Sequence, residues 1–340
     1  MNRIVQPNLV SVIIPTYNRS RFLVEAVESV RAQSHRPLEV IIIDDGSEPC
    51  ELTSVKEYIR HINCEPEFCV NLIEQQHLGQ RIARNRGLFQ SSGAFIQFLD
   101  DDDTLHPDKL AIQLESFSKD PALDVVVSQV AFCDSEMHPT SISNISERGW
   151  KGDMVDFFLD LKHDVATHAP LHRRKALEKI SGWDERGKIG DEVSLHLRLA
   201  ISGAKFAFFP NVHGYVRCHN NPGRVTTLEQ KASAVAEKEF YQRIIEFSEI
   251  RIGCRDEHLR CGVAKRLFLI ARRHYSTLNP TTANGCICAA ATIFPEFTPI
   301  ALRLYPLLGG LLGCLIECPY YYVKRVVKRV SRLIRFNSLI

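Results

Sequence analysis

AFIQFLDDDD, Ala94 to Asp103, is the stretch whose reading decides the fold. A short apolar run that ends at once in four consecutive aspartates reads as a strand buried on both faces, with acid at its carboxyl end. Three earlier runs share this form. Val10 to Ile14 stops at Pro15, Leu38 to Ile43 ends in Asp44-Asp45-Gly46-Ser47, and Cys69 to Ile73 completes the set. Between them the pattern turns helical, from Ser20 to about Ala32 and again from Gln80 to Gln90. Strands alternating with helices describe βαβ units, so the expected fold class is α/β, with a Rossmann-like, mostly parallel sheet flanked by helices. In such sheets ligands gather at the carboxyl ends of the strands, near a topological switch point. Both acidic motifs lie at such ends.

Downstream the pattern predicts a helix over Pro107 to Lys119, with proline in its first turn, and a strand over Asp124 to Phe132. Helices are expected at Asp153 to Leu161, Arg174 to Ile180 and Val193 to Ser202, and a strand at Lys205 to Phe209. Glu229 to about Phe247 and Asp256 to Tyr275 read as helices outside the sheet. A domain boundary is placed near Thr226. Residues 1–226 then form the main domain, with a nucleotide half over 1–110 and an acceptor half over 111–226, and residues 227–340 form an α-helical C-terminal region.

Four adjacent carboxylates repel one another and are costly to bury unpaired. A divalent cation resolves this, because hard ions such as Mg²⁺ and Mn²⁺ favour carboxylate oxygens and bridge them to phosphates. A solvated acidic loop is the alternative, and the position at a strand end argues against it. Asp44-Asp45-Gly46-Ser47 is similar in kind: a carboxylate there can accept from a ribose hydroxyl or a base N–H, or can simply close an Asx-type turn.

The segments SVIIPTYNR (11–19), EVIIIDDGS (39–47), GQRIARNRG (79–87) and FIQFLDDDDTLHPDKL (95–110) occur in the order and at roughly the distances found in the family 2 glycosyltransferases, which they resemble. The resemblance implies the GT-A fold and an inverting, metal-dependent transfer from a nucleoside-diphosphate sugar. It implies that Pro15, Thr16, Tyr17 and Asn18 line the base pocket, and that Asp45, with Asp44 beside it, contacts uracil or ribose. Arg84 would stand near the diphosphate and Asn85 behind the sugar. Phe98 to Asp103 matches the Asp-x-Asp motif: Asp100 would contact ribose or metal, Asp102 would be the main metal ligand, and Asp101 occupies a variable position.

Further on, Ser181-Gly182-Trp183-Asp184-Glu185, Gly190-Asp191-Glu192 and Arg198 resemble the family's acceptor region, with Asp-Glu where the usual order is Glu-Asp. The position six residues before Arg198 makes Glu192 the candidate base, and Asp191 stays open beside it. A helix N-terminal acidic pair favoured by the dipole is the plainer alternative. Tyr215 to His219 resembles the Tyr-Arg-x-His that closes the domain, with one extra residue, and by that match His219 would contact metal or diphosphate.

Composition narrows the function classes. The 42 basic and 40 acidic residues give a net charge of +2, and six of the basic ones, Lys324 to Arg335, stand together near the C-terminus without an acid among them. The rest of the chain is mildly acidic, so nucleic acid is not an expected partner. Eleven cysteines without zinc-like spacing, and no secretory signal, lead us to expect reduced thiols in a cytoplasmic protein. Apolar residues from Val323 to Ile334 interleave with the basic ones at helical spacing, as in a helix lying on the inner face of an anionic membrane or, equally, one packed on the catalytic domain with its lysines in water. No uninterrupted apolar stretch of about 20 residues precedes it. The expected reaction is therefore sugar transfer to a glycan, lipid-linked or protein-linked acceptor in cell-surface polysaccharide synthesis. A non-catalytic nucleotide-sugar binding module and a sugar-phosphate nucleotidyltransferase are the alternatives; the latter usually wants a glycine-rich basic loop that Ile14-Pro15-Thr16-Tyr17 does not supply.

Overall fold

The structure, a computed structural model, describes residues 4–62, 67–143, 145, 153–160, 165–187, 189–218, 234–253, 256–276 and 280–294. Its first half is the predicted parallel sheet. Strands β1 (Gln6–Thr16), β2 (Leu38–Asp44), β3 (Phe68–Glu74) and β4 (Gly93–Phe98) run in the order β3-β2-β1-β4, all parallel. Ile13 of β1 pairs with Ile41 on one side and Phe98 on the other, and this central strand is buried from Leu9 onward, apolar but for Ser11 and Thr16. The connections are helices: α1 (Ser20–Arg31), α2 (Pro49–Ile62) and α3 (Gln80–Gln90). Helix α1 buries Leu23, Ala26, Val27 and Val30, the i, i+3, i+4, i+7 stripe of a helix laid on a sheet. Because the chain goes from β1 outward to β2 and later returns to β4 on the other side, a crevice opens at the carboxyl ends of β1, β2 and β4.

Beyond β4 the sheet becomes mixed. β8 (Pro170–Arg173) lies antiparallel between β4 and β6 (Val125–Cys133), and β9 (Phe206–Arg217) runs parallel to β6 with register shifts near Gln129. Two short strands complete it: β5 (Thr104–Leu105) against β9, and β7 (Pro139–Ile142) on β6. Periodicity misses β5, β7 and β8, and the sequence of β8, PLHR, offers neither alternation nor an apolar run. The strand expected at Lys205 to Phe209 runs on to Arg217, carried past Pro210 by the register shifts. The helix expected from Pro107 is α4 (Lys109–Lys119), with the proline just ahead of its first turn. α5 (Met154–Leu159), α6 (Arg174–Lys179) and α7 (Asp191–Ile201) flank this half.

The described residues after β9 are helical: α8 (Ala234–Ile252), α9 (Glu257–Ser276) and α10 (Pro280–Ile293). The chain divides into two compact units, 1–232 with 239–259, and 233–238 with 260–340. Among the described residues no helix is long and apolar enough to cross a membrane.

Candidate active site

The crevice is built from three turns tied to one another. Asn18, in the left-handed region at φ 54°, donates its backbone N–H to Ser47 Oγ at 2.9 Å and accepts from the Glu48 N–H at 2.7 Å. The Tyr17 turn after β1 is thus locked to the Asp44-Asp45 turn after β2. Asparagine suits this place because its short side chain tolerates the conformation and caps the neighbouring turn. Tyr17 is half exposed and stacks on His77, ring centroids 4.2 Å apart. The two rings form an open aromatic ledge beside the acidic turn.

Asp44 and Asp45 are both buried but are held differently. Both Asp45 oxygens are engaged: Oδ1 accepts from Gln75 Nε2 at 2.7 Å and the Leu78 N–H at 2.9 Å, and Oδ2 accepts from the Gly79 N–H at 2.9 Å. Asp45 thereby fixes the loop that leads into α3. Asp44 Oδ2 accepts from the Ser47 N–H at 3.1 Å, whereas its Oδ1 is buried without a hydrogen-bond partner. A buried acceptor left unpaired is costly, and a ligand N–H or O–H would satisfy it.

The aspartates after β4 splay to different partners. Asp100 accepts from Arg84 Nη2 at 2.6 Å. Asp101 accepts from Thr16 Oγ1 at 2.7 Å and lies 3.3 Å from Arg19 Nη1, which also reaches Asp102 at 3.0 Å. Asp103 accepts from the Arg217 N–H at 2.9 Å and sits 3.1 Å from His168 Nδ1. Burial pushes the Asp100 carboxyl up, but Arg84 outweighs it and holds the group below its ordinary value. Asp101 is pushed up to about 6 by burial, against the pull of Arg19 and Thr16. Asp102 is pushed up to about 7, by burial and then by Asp103, Asp100 and Asp101 crowding it, with Arg19 only partly compensating.

Asp102 therefore carries more negative charge around it than the chain neutralises, which is the condition a bound cation relieves. Among the described residues no three His, Cys, Asp or Glu side chains converge as a complete ligand set. Asp100 and Asp102 suit instead an ion that takes one or two protein carboxylates and fills its shell with phosphate oxygens and water, as Mg²⁺ does. His219 lies outside the described residues.

Helix α3 brings Arg81, Arg84 and Asn85 to one face by their i, i+3, i+4 spacing. Arg84 is 1 % exposed. Its guanidinium stacks 4.4 Å from the Trp183 ring, binds Asp100, and has Nη1 at 3.9 Å from both Asp191 and Glu192. Asn85 clamps the Trp183 turn, donating to the Trp183 carbonyl at 2.9 Å and accepting from its N–H at 2.8 Å. Arg84 is thus buried behind the crevice, and Asn85 is half-buried. Arg84 reaches it through Asp100, and Asn85 holds an element of its wall.

Asp191 and Glu192 open α7, where the helix dipole favours acid. Gly190 precedes them at φ 68°, and a Cβ there would come 2.7 Å from the Phe240 ring, so glycine meets two demands at once. The two carboxylates then part. The Asp191 side chain is 1 % exposed and is bound by Arg81 and by Gln80 Nε2 at 2.9 Å. The Glu192 side chain is 28 % exposed and accepts from Thr167 Oγ1 at 2.8 Å. Arg19, His77, Arg81, Thr167 and Trp183 are site residues that sequence reasoning does not single out. Arg19, Arg81 and Trp183 fall inside quoted motifs, but Thr167 and His77 carry no local signal.

A sheet of this strand order, with acidic strand ends at its switch-point crevice, is an α/β fold of the GT-A type. The family model for glycosyl transferase family 2 matches residues 11–181, just over half of the chain, and the chain belongs to that family. It is 39% identical over 115 residues to an uncharacterised glycosyltransferase of Rickettsia felis, a match over 33% of this chain and 18% of that protein. The chain thus spans less than a fifth of the length of that curated relative. It is 28% identical over 247 residues to an Escherichia coli chondroitin synthase, covering 72% of this chain and 33% of the relative. In fold it is similar to S. aureus TarS 1–349 in complex with UDP-GlcNAc, with a TM-score of 0.59 at 19% identity over 88% of this chain and 86% of that one.

Proposed function

We propose that the protein is an inverting, metal-dependent glycosyltransferase that moves one sugar from a nucleoside-diphosphate sugar to a glycan, lipid-linked or protein-linked acceptor hydroxyl. The observation that carries this reading is the sharing of one buried guanidinium by both halves of the site. Arg84 Nη2 binds Asp100 at 2.6 Å, and Arg84 Nη1 stands 3.9 Å from Glu192, so an acidic strand end and a partly exposed carboxylate face one crevice a few ångströms apart.

In this reading the base stacks on the ledge of Tyr17 and His77, and the unpaired Asp44 Oδ1 accepts a ribose or base hydrogen. Pro15, Thr16 and Asn18 shape that pocket, and Asp45 holds its far wall through residues 75–79. Asp102 with Asp100 would hold a divalent cation, Mn²⁺ or Mg²⁺, which when bound would supply charge neutralisation for the departing diphosphate. Glu192 takes the proton of the acceptor hydroxyl as its oxygen bonds to the anomeric carbon and the bond to the diphosphate oxygen breaks. One displacement inverts the anomeric centre. General-base help of this kind is worth about 10²- to 10⁴-fold. Asp191, saturated by Arg81 and Gln80, positions Glu192 and Arg84.

UDP is the first nucleotide to test because the TarS complex holds UDP-GlcNAc, and the chondroitin synthase relative supports a polysaccharide acceptor. The catalytic domain is read as residues 1–226, and the protein as cytoplasmic, with its basic tail after residue 320, which lies outside the described residues, resting on the anionic inner face of the membrane. Isothermal titration with UDP and Mn²⁺, run in parallel on Asp102→Ala, tests the donor site. Metal-dependent binding that disappears in the variant is the expected result. No binding of UDP, GDP or TDP with metal present overturns the reading.

A further inference from the structure

Of the four aspartates that follow β4, the middle two share one cation. Arg19 Nη1 stands 3.3 Å from Asp101 Oδ1 and 3.0 Å from Asp102 Oδ2. A single guanidinium nitrogen thus bridges two carboxylates on residues that are only 6 % and 8 % exposed. Asp101 has a second hold, the Thr16 hydroxyl donating to its other oxygen at 2.7 Å. Asp102 is the residue to which the proposed function gives the divalent ion. The guanidinium therefore sits on the carboxylate that the ion would take, and two cations crowded onto one poorly solvated carboxylate repel each other.

The head group can move while its root stays. Arg19 stands at the start of α1, and its carbonyl accepts from the Leu23 N–H at 3.1 Å. Its neighbours are fixed as well: the Asn18 N–H donates to Ser47 Oγ at 2.9 Å, and the Ser20 N–H to Glu51 Oε2 at 2.9 Å. Beyond this anchored backbone the side chain is 30 % exposed, and among the described residues its hydrogen bonds are the two made through Nη1. A long arginine stem has several staggered conformers open to it at such a place. A guanidinium released from a carboxylate keeps its charge and needs another anion, and a diphosphate matches its planar fork of donors.

We propose that Arg19 is a resident counter-ion of the acidic motif: it competes with the divalent cation for Asp102, and exchanges that carboxylate for the donor's diphosphate when the two enter together. The inference rests on the metal-dependent transferase reading above and gives one residue control over how metal and nucleotide arrive. Before the exchange Asp102 faces the guanidinium. After it Asp102 faces the cation and the guanidinium faces the diphosphate, so no buried charge goes unanswered at either stage. Arg19 keeps the site weak toward a bare ion and weak toward a bare nucleotide, for which it would have to abandon its carboxylates. Metal and nucleotide therefore favour one another through Arg19, each raising the other's affinity by the same factor.

Arg19→Gln removes the charge and keeps a polar head. Its Mn²⁺ affinity is read from the electron paramagnetic resonance of the free ion, without nucleotide and with saturating UDP, beside the parent protein and Asp102→Ala. Comparison with the parent cancels the ion's own affinity for UDP in solution. For Mn²⁺ alone we expect Arg19→Gln to bind about 10-fold more tightly than the parent. The factor by which UDP tightens Mn²⁺ should shrink by about 10-fold, because the variant has no cation to hand over. Thermal melts give a second readout: Mn²⁺ alone should raise the Tm of Arg19→Gln more than that of the parent. Should Arg19→Gln fail to fold, Arg19→Met, which keeps the stem and loses the charge, carries the test. A mere background charge would alter the affinity for Mn²⁺ and leave the UDP factor as in the parent, and that result overturns the exchange. An unchanged affinity for Mn²⁺ alone overturns it too. If the parent binds no Mn²⁺ with UDP present, or Asp102→Ala binds both as well as the parent, the donor-site reading fails and the exchange with it; normal binding by the parent with Arg19→Gln unmoved sinks the exchange alone.

Discussion

Replacing Glu192 by Gln and Asp191 by Asn, one at a time, should split chemistry from stability. Gln keeps an oxygen for Thr167 Oγ1, now 2.8 Å from Glu192, and the side chain is 28 % exposed, so the fold should lose no more than about 1 kcal/mol. It cannot take a proton. The turnover should fall by about 10²- to 10⁴-fold, which is about 3–5 kcal/mol on the barrier, with little change in the donor KM. Asp191→Asn does the reverse. It removes the charge from a 1 % exposed carboxylate bound to Arg81 and 3.9 Å from buried Arg84, leaving Arg81 against a neutral amide and Arg84 with Asp100 and Glu192 alone. Breaking such a buried pair costs about 3–5 kcal/mol, or a fall in Tm of about 6–20 °C for a unit of this size. Donor-dependent release of nucleoside diphosphate gives kcat and KM, and a thermal melt gives Tm. If Glu192→Gln stays within tenfold of the parent in kcat, or Asp191→Asn abolishes turnover at an unchanged Tm, the assignment of the two carboxylates is refuted.

Three further outcomes follow from single contacts. Asp102, pushed up to about 7, must lose its proton to hold a cation. Mn²⁺-dependent nucleotide affinity should therefore be full above about pH 7 and fall about tenfold per unit below it; a flat profile from pH 8 to 5.5 contradicts this. Gly87 lies where a Cβ would come 2.3 Å from Ile13 Cγ2. Gly87→Ala should destabilise by about 1–3 kcal/mol in urea unfolding, and Ile13→Ala in the same chain should cost less than its own penalty added to that. His196 is held neutral, pushed down to about 3 chiefly by burial. The unfolded chain takes up this proton below its ordinary value near 6.5, so the wild type loses about 2 kcal/mol from this group between pH 7 and 5. His196→Phe, which cannot lose it, should gain on the wild type by that amount over the same interval, and a constant difference would show that the burial is not felt.

The parallel half of the sheet was legible because its code is local. A buried strand must be apolar, and the runs at 38–43 and 94–99 stop at the acids that mark their ends, the run at 10–14 at Pro15. The antiparallel half was not, because β8 earns its place by pairing between β4 and β6, and nothing in PLHR announces two neighbours that lie far off in sequence. The site divides in the same way. Tyr17, Asn18, Asp44, Asp45 and the four aspartates stand at strand ends, whereas the partners that decide their state come from elsewhere. Sequence order alone could not separate Asp191 from Glu192, since both sit in the first turn of α7; the difference is made by Arg81 of α3, 110 residues earlier in the chain, and by Thr167 ahead of β8.

Arg84 shows why such partners matter. A fully buried guanidinium is expensive unless its charge is answered, and here the answer is divided among three carboxylates. It has Asp100 at 2.6 Å, and Asp191 and Glu192 at 3.9 Å. Burial works against the charge and the three acids restore it, so the guanidinium is held firmly cationic. Two of its three anions are the groups that the proposed reaction uses most directly. The donor end and the acceptor end of the crevice are therefore coupled through a single charge: whatever neutralises Asp100 from the crevice side weakens its claim on Arg84 and leaves more of that field for Glu192. The electrostatic consequence is ordered binding. Donor and cation should seat first and lower the proton affinity of Glu192, and the acceptor hydroxyl should meet its base only after the leaving group is in place.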